Sequence, residues 1–154
     1  DMMQKSKQLA LYNNYTRNEL IFLFEAKVPE STWREGISRV DDHYLLFINL
    51  NKTEDIAESI RYKDSFRDPS TFHWQSENRA FHASGRGQDY VNHKERGLHI
   101  HLFVRKFIKM HNMTMPFTYL GEVEYVSSHG DKPMNIIWKL HNPVPEDLYH
   151  DLIR

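Results

Sequence analysis

Between Arg61 and Arg79 the sequence gathers side chains that together can hold a planar polar ring: Tyr62, Asp64 and Ser65, then Trp74, Gln75 and Ser76. Aromatic faces stack such a ring, a carboxylate accepts from an exocyclic amine, and amide and hydroxyl groups read its edge. Tyr and Trp also serve cores, so the pattern is suggestive only in company. A second group is rich in histidine. His99 and His101 stand two apart, hence on one face of a strand, with His93 near by. Three histidines are a zinc-type ligand set, but no carboxylate completes an ordered one here. Glu122 and Glu124 share a face in the same way and, with Asp131 and Lys132, offer part of a metal-dependent nuclease site. The preceding Asp and the clear catalytic Lys of such a site are missing. There is no Gly-rich phosphate loop, nucleophile elbow or Ser/His/Asp ordering.

Charge is unevenly spread. The formal net charge is −1, yet Arg79, Arg86, Lys94, Arg96, Arg105, Lys106 and Lys109 face only Asp89 and Glu95 in their stretch. Asp41, Asp42, Glu54, Asp55 and Glu58 make an acidic stretch relieved by Lys52 alone. A polyanion is held by a local patch rather than by the mean charge, so nucleic acid stays open as a partner. The 10 histidines add positive charge below pH ~6.5.

The elements that would position these residues change character along the chain. Thr16 with Glu19 forms a capping box that opens a helix through Leu20, Phe24 and Ala26, ended before Pro29. A shorter helix is expected from Thr32 to about Ser38. Strands follow at His43–Asn49, Thr71–Ser76, His99–Phe107, Phe117–Val126 and Asn135–Leu140. In the third of these, Ile100, Leu102 and Val104 alternate with His99, His101, Phe103 and Arg105. Asn51–Ser70 and Ala80–Gly97 read as loops, the second mobile around Gly85, Arg86 and Gly87. Pro145 with the acids after it opens a short last helix. These elements predict an α+β fold with a curled or closed β-sheet, N-terminal helices and a short C-terminal helix.

The 154 residues suit one domain, with a helical part at 1–40 and a β-rich core at 41–154. With Cys 0, a disulfide framework, cysteine-ligated zinc and a thiol nucleophile are excluded. The longest apolar runs, Leu20–Phe24 and Tyr44–Ile48, fall far short of the ~20 residues of a membrane span. No basic start followed by an apolar run marks a signal peptide in this sequence, and a start at Asp1 fits a piece of a longer polypeptide. The expectation is a cytoplasmic module with no membrane partner.

A family resemblance enters through six blocks in order: LLFINLNK (45–52), RYKDSF (61–66), TFHWQS (71–76), HLFVRK (101–106), PFTYLGEV (116–123) and KPMNIIWKL (132–140). Over roughly residues 10 to 150 the chain resembles a C-terminal domain of bacterial proteins that carry a phospholipase-D-type nuclease and a DEAD/DEAH-box helicase. Some of these are type IV restriction enzymes, a staphylococcal enzyme that cuts DNA carrying modified cytosine among them. The resemblance implies a recognition domain, not itself an enzyme, without cofactor or metal. Its implied partners are double-stranded DNA with modified cytosine and the helicase and nuclease domains of the parent polypeptide.

The order of elements is also similar to SRA/PUA-like domains, which flip 5-methylcytosine out of DNA. There a Tyr, an acidic turn and an aromatic twelve positions on are followed by a small polar residue; here Tyr62 and Trp74 have that spacing. By this similarity Tyr62 and Trp74 sandwich the flipped base and Asp64 accepts from the cytosine N4 amine. Ser65 stands where the SRA acid usually sits, and Gln75 and Ser76 line the edge near the 5-substituent. Asn51, Lys52, Arg61, Asn78, Arg79, Arg86, Lys94 and Arg96 are the expected DNA-binding residues. The mark is 5-methylcytosine, with 5-hydroxymethylcytosine as the second candidate. Three rivals remain: a metal-dependent nuclease, a reader of phosphorothioate DNA or modified RNA, and a plain interaction domain.

Overall fold

The structure, a computed structural model, describes residues 9–27, 33, 36–51 and 64–154. Its frame is one eight-stranded sheet whose central strands are set by the long apolar runs of the sequence. In chain order the strands are β1 (Asn14–Tyr15), β2 (Ile37–Val40), β3 (His43–Asn51), β4 (Ser65–Asp68), β5 (Thr71–Gln75), β6 (His99–Phe107), β9 (Phe117–His129) and β10 (Asn135–Leu140). Lys109–Met110 (β7) and Met113–Thr114 (β8) pair as a separate small hairpin. The helices are α1 (Arg17–Leu23), α2 (Gly85–Val91) and α3 (Glu146–Ile153). The spatial order is β2-β3-β6-β9-β10-β5-β4, with β1 pairing β9. The sheet is mostly antiparallel and does not close into a barrel, so the α+β expectation with a curled sheet holds.

Alternation along β3 and β6 splits the core into two layers. Tyr44, Leu46, Ile48, Ile100, Leu102 and Val104 face one core with Trp74, Tyr90 and Trp138. Leu45, Phe47, Phe103, Phe117 and Tyr119 face the other, which Leu20 and Phe24 of α1 and Trp33 cover. Such two-sided burial is why β3 reads as a continuous apolar run. β6 pairs β3 in parallel on one side and β9 antiparallel on the other. β9 is long enough to pair β6 with its first half and β10 with its second. Its change of direction comes at Gly121, whose φ of 95° belongs to glycine. A register shift in the β6–β9 ladder lies next to it.

The Thr16–Glu19 capping box forms as expected, with both reciprocal hydrogen bonds. Three expectations need correcting. Of the helix placed at Thr32–Ser38, residues 32, 34 and 35 lie outside the described residues, and its end, Ile37 and Ser38, belongs to β2. Ile37–Val40 turns back onto β3 through Asp41 and Asp42, with Asp41 at φ 51°, a left-handed value that Asp tolerates in tight hairpins. The N-terminal part at 1–40 is therefore not only helical, since β1 and β2 lie within it. The loop expected at Ala80–Gly97 contains α2, capped by the Ser84 hydroxyl accepting from Gly87 N–H at 3.0 Å. Gly87 serves close approach rather than mobility: a Cβ there would lie 2.0 Å from the Phe81 carbonyl oxygen. Among the described residues, no helix is long and apolar enough to cross a membrane.

Candidate functional site

The last residues of β3 lie beyond the stretch that pairs with the short β2, near the start of β4. A cleft of about 250 Å³ lies there, lined by Leu50 and Asn51 of β3, by Asp64, Ser65 and Phe66, and by Leu152 and Ile153 at the end of α3. Phe66 is fixed from behind, edge-on to Phe72 at 4.9 Å and to Tyr149 at 5.6 Å between centroids. Asp64 is the chemical centre of this cleft. One carboxylate oxygen accepts from the Gln75 backbone N–H at 2.7 Å, tying the chain ahead of β4 to β5. Burial pushes the carboxyl up to about 6, against the opposing pulls of that N–H and of His73. Near neutral pH the cleft thus offers a poorly solvated acceptor flanked by the Ser65 hydroxyl and Asn51 amide, with an apolar wall of Leu50, Phe66 and Leu152.

The remaining pocket candidates divide. Tyr62, Lys52 and Arg61 lie outside the described residues. Trp74 does not line the cleft: at 3 % exposure it belongs to the core, its ring against Tyr90 at 5.3 Å and Trp138 at 6.1 Å. A ring enclosed this way has no free face for a base, so its expected stacking role is corrected. Ser76 is corrected as well. It is buried, and its hydroxyl donates to Glu77 O and accepts from Met134 N–H, both at 2.9 Å, so it stitches β5 to the start of β10. Gln75 contributes its backbone N–H to Asp64.

Three cations of the basic stretch are paired with acids. Arg96 reaches Asp89 at 2.8 Å and Arg39 reaches the same carboxylate at 3.2 Å, while Tyr44 donates to it at 2.6 Å. Burial alone would raise Asp89, but the Tyr44 hydroxyl and the two guanidiniums outweigh it and hold the carboxyl below its usual range. Lys94 pairs with Glu124, and Arg86 with Glu77 at 3.4 Å. Arg79 and Arg86 do meet at one cleft of about 410 Å³ beside Glu77, and Asn78 is exposed next to it. The expected DNA contacts from Arg86, Lys94 and Arg96 would thus have to compete with an acid already in place.

The histidines form a buried hydrogen-bonded chain under α1. His43 Nδ1 and His101 Nε2 are 3.0 Å apart, and His101 Nδ1 lies 2.8 Å from the Tyr119 hydroxyl. His43 stacks on His99, whose Nδ1 is 2.7 Å from Glu122. Among the described residues, no three His, Asp or Glu side chains converge as a metal ligand set. Glu122 and Glu124 are each engaged, by His99 and Lys94. The sequence reading missed Leu152 and Ile153, which reach the cleft from the far end of the chain. It also missed a pair of arginines, Arg17 and Arg105, that share a cleft of about 450 Å³ beside Phe117. The alternation of β6 already placed Arg105 on the face with His101 and Phe103, and a cation on a buried strand face was the signal.

Compared with known proteins, residues 9–152 match the family model described as "Domain of unknown function (DUF3427)". The chain belongs to this family. None of the curated proteins matches it. Two of the solved structures similar to it are the following. One is "DNA modification-dependent restriction endonuclease AspBHI", at 14% identity and TM-score 0.47, covering 96% of this chain. The other is "DNA recognition domain of the cytosine modification-dependent restriction endonuclease LpnPI", at 15% identity and TM-score 0.42, covering 70% of this chain. The chain spans 46% of the first structure and 61% of the second, so it corresponds to a part of each.

Proposed function

We propose that this DUF3427 chain is a non-catalytic recognition domain that binds modified DNA and takes an extruded modified cytosine into the cleft between β3 and β4. It would serve a larger restriction enzyme whose cutting and ATP-driven steps reside in other domains. The observation that supports this reading is Asp64: a carboxylate held by one backbone N–H, sparsely solvated, and opening on a cleft with an apolar wall. In that position it accepts from the cytosine N4 amine. Leu50, Phe66 and Leu152 supply the apolar surface for a 5-methyl group.

The energetics fit a reader of moderate selectivity. Extruding a base costs a few kcal/mol, and contact with an aromatic ring, Phe66 being the one that lines the cleft, would return ~1–3 kcal/mol. Burying one methyl contributes roughly 0.8 kcal/mol, about fourfold in affinity. The preference for 5-methylcytosine over cytosine is therefore expected to be severalfold, with 5-hydroxymethylcytosine admitted if Ser65 or Asn51 bonds the added hydroxyl.

Fluorescence anisotropy on matched duplexes carrying cytosine, 5-methylcytosine or 5-hydroxymethylcytosine tests this. A severalfold preference for a modified duplex, abolished in Asp64→Asn, is the expected result. In that variant the amide oxygen stays with Gln75 N–H and the cleft receives an NH₂ donor facing the base's own amine. Equal binding of all three duplexes would reject the reading.

A further inference from the structure

The cleft of about 410 Å³ beside the start of α2 brings an acid and two guanidiniums together: Glu77, Arg79 and Arg86. Glu77 takes the Tyr90 hydroxyl across both of its oxygens, at 2.7 and 2.9 Å, and Arg86 Nη1 reaches it only at 3.4 Å. A carboxylate has about four acceptor sites, so these donors leave Glu77 able to accept again. Arg86 lies over the Tyr44 ring at 5.3 Å from its centroid. Arg79 is exposed, and its guanidinium makes no ion pair or hydrogen bond among the described residues. The whole donor fork of Arg79 is therefore available.

The loop that carries Glu77 and Arg79 is braced on both sides. The Glu77 carbonyl accepts from the Ser76 hydroxyl at 2.9 Å and from the Ala80 N–H at 3.1 Å. The Ala80 carbonyl accepts from the Lys132 N–H at 2.8 Å, and Asp131 accepts from the His82 N–H at 2.7 Å. An unengaged side chain on a braced loop is pre-organised for a ligand. The loop also adjoins the base cleft. Gln75, whose N–H holds Asp64, is two residues before Glu77, at most ~7 Å of chain. The two clefts lie against the same core layer, since Leu50, Phe66 and Leu152 belong with Tyr44, Ala80 and Tyr90.

A phosphate entering beside Glu77 would meet a carboxylate, so the cleft suits a ligand that presents acceptors and a donor together. A G·C base pair does this in the major groove: guanine O6 and N7 accept, and the cytosine N4 amine donates. An arginine fork matches the first edge and a carboxylate the second. We propose that Arg79 and Glu77 read a G·C pair flanking the modified cytosine, Arg79 on guanine and Glu77 on the cytosine amine of that pair. Arg86, seated on Tyr44, is a positioning residue that holds Glu77. This inference rests on the DNA-reading function proposed above and adds a flanking-sequence preference to it. An A·T pair is rejected, because it sets the adenine amine against Arg79 and the thymine O4 against Glu77. The ~7 Å of chain equals about two base-pair rises, which puts the pair that is read within a few steps of the modified base.

The test measures binding to duplexes that carry one modified cytosine and, in turn, each base pair at every position within about three steps on either side. The same set is measured with unmodified cytosine, at several salt concentrations. The parent chain should favour G·C over A·T at one flanking position by roughly five- to a hundredfold. Arg79→Ala changes an exposed side chain, and its melting temperature should match the parent's. It should lose the flank preference and keep both the modified-base preference and the salt slope. Asp64→Asn should do the reverse, keeping the flank preference and losing that for the modified base. A flank preference that Arg79→Ala abolishes, in a chain indifferent to modification, supports the inference and rejects base reading. Equal weakening of all sequences in Arg79→Ala, with the salt slope reduced by about one, would make Arg79 a phosphate contact and overturn the proposal. So would a flank preference that survives Arg79→Ala, or a parent chain that binds all flanks alike or no duplex at all.

Discussion

At pH 7 the Asp64 carboxylate is ionised in surroundings that lift it to about 6, against 3.8 for a free side chain. The folded state keeps this proton between about pH 4 and 6 while the unfolded chain gives it up. Asp64 therefore lowers stability progressively as pH rises through that window. Discounted for partial exposure, the cost at pH 7 is of order 2 kcal/mol. Asp64→Asn should accordingly raise the melting temperature at pH 7.5, leave it unchanged near pH 4, and abolish the modified-base preference, as read by calorimetry and anisotropy together. A group that costs stability at working pH is the pattern of a binding residue rather than a structural one. Trp74 is the contrasting case. Trp74→Ala should cost ~3–5 kcal/mol, and at about 2–4 °C per kcal/mol for a domain of this size the melting temperature falls by ten degrees or so. A fall of only one or two degrees would mean that its ring is not packed in the core. Spacing alone put Trp74 beside Tyr62 in a pocket; strand alternation, which turns Phe72 and Trp74 to the same side, was the better guide.

At the scale of elements, the α1 cap, β3, β6 and β10 were legible because local chemistry and burial agree there. Thr16 and Glu19 satisfy each other, and the apolar residues of β6 fall on every second position. β2 and α2 were not legible, since each depends on a neighbour: β2 on the edge of β3, and α2 on a glycine that lets it close against Phe81. The face of β6 that carries His99 and His101 shows the same limit. Alternation grouped these residues correctly, but only packing under α1 reveals that His101 is fully buried and pushed down to about 3, by burial and then by His43 and His99. His43 and His93 are also lowered, by burial first. A histidine kept neutral when folded takes up a proton on unfolding below pH ~6.5. Stability is then lost as pH falls from there, by up to ~1.4 kcal/mol per pH unit for each such group. Melting temperatures should decline steadily from pH 6.5 to 4.5. In His101→Phe the starting value should be lower and the decline shallower; an equal slope would show that His101 is not the proton acceptor.

Taken whole, the molecule is close to neutral, with 20 Lys and Arg against 21 Asp and Glu, and several of its cations are paired with acids. Asp89 joins Arg39 of β2 to Arg96 ahead of β6, so the basic stretch stabilises the fold before it meets any ligand. Asp89→Asn should cost about 2 kcal/mol, the uncompensated guanidiniums being partly exposed, and should leave the salt slope of DNA binding unchanged. A changed slope would assign these arginines to DNA instead. Formal charge along a sequence cannot show pairings such as Arg39 with Asp89 or Lys94 with Glu124, whose partners lie far apart in the chain. The sequence named Asn51, Asp64 and Ser65 of the cleft but not Leu50, Phe66, Leu152 and Ile153, because the cleft is assembled from residues of β3, β4 and α3 that are distant in the chain.

The ladder between β3 and β6, the only parallel one among the described residues, is one of several that join strands far apart in the chain. Every antiparallel neighbour pair from β9 to β10 or from β4 to β5 closes over a short turn. The central β3–β6 pair joins strands separated by residues 52 to 98, so the ordering entropy of that whole stretch is lost before the contact rewards it. The β5–β10 and β1–β9 pairs close over still longer stretches, residues 76 to 134 and 16 to 116, so the sheet as a whole, and with it the cleft that spans the ends of β3 and β4, exists only once several non-local steps are complete. Refolding from denaturant is expected to be slow for the size of the domain, with the recovery of ligand binding lagging the recovery of local hairpin structure.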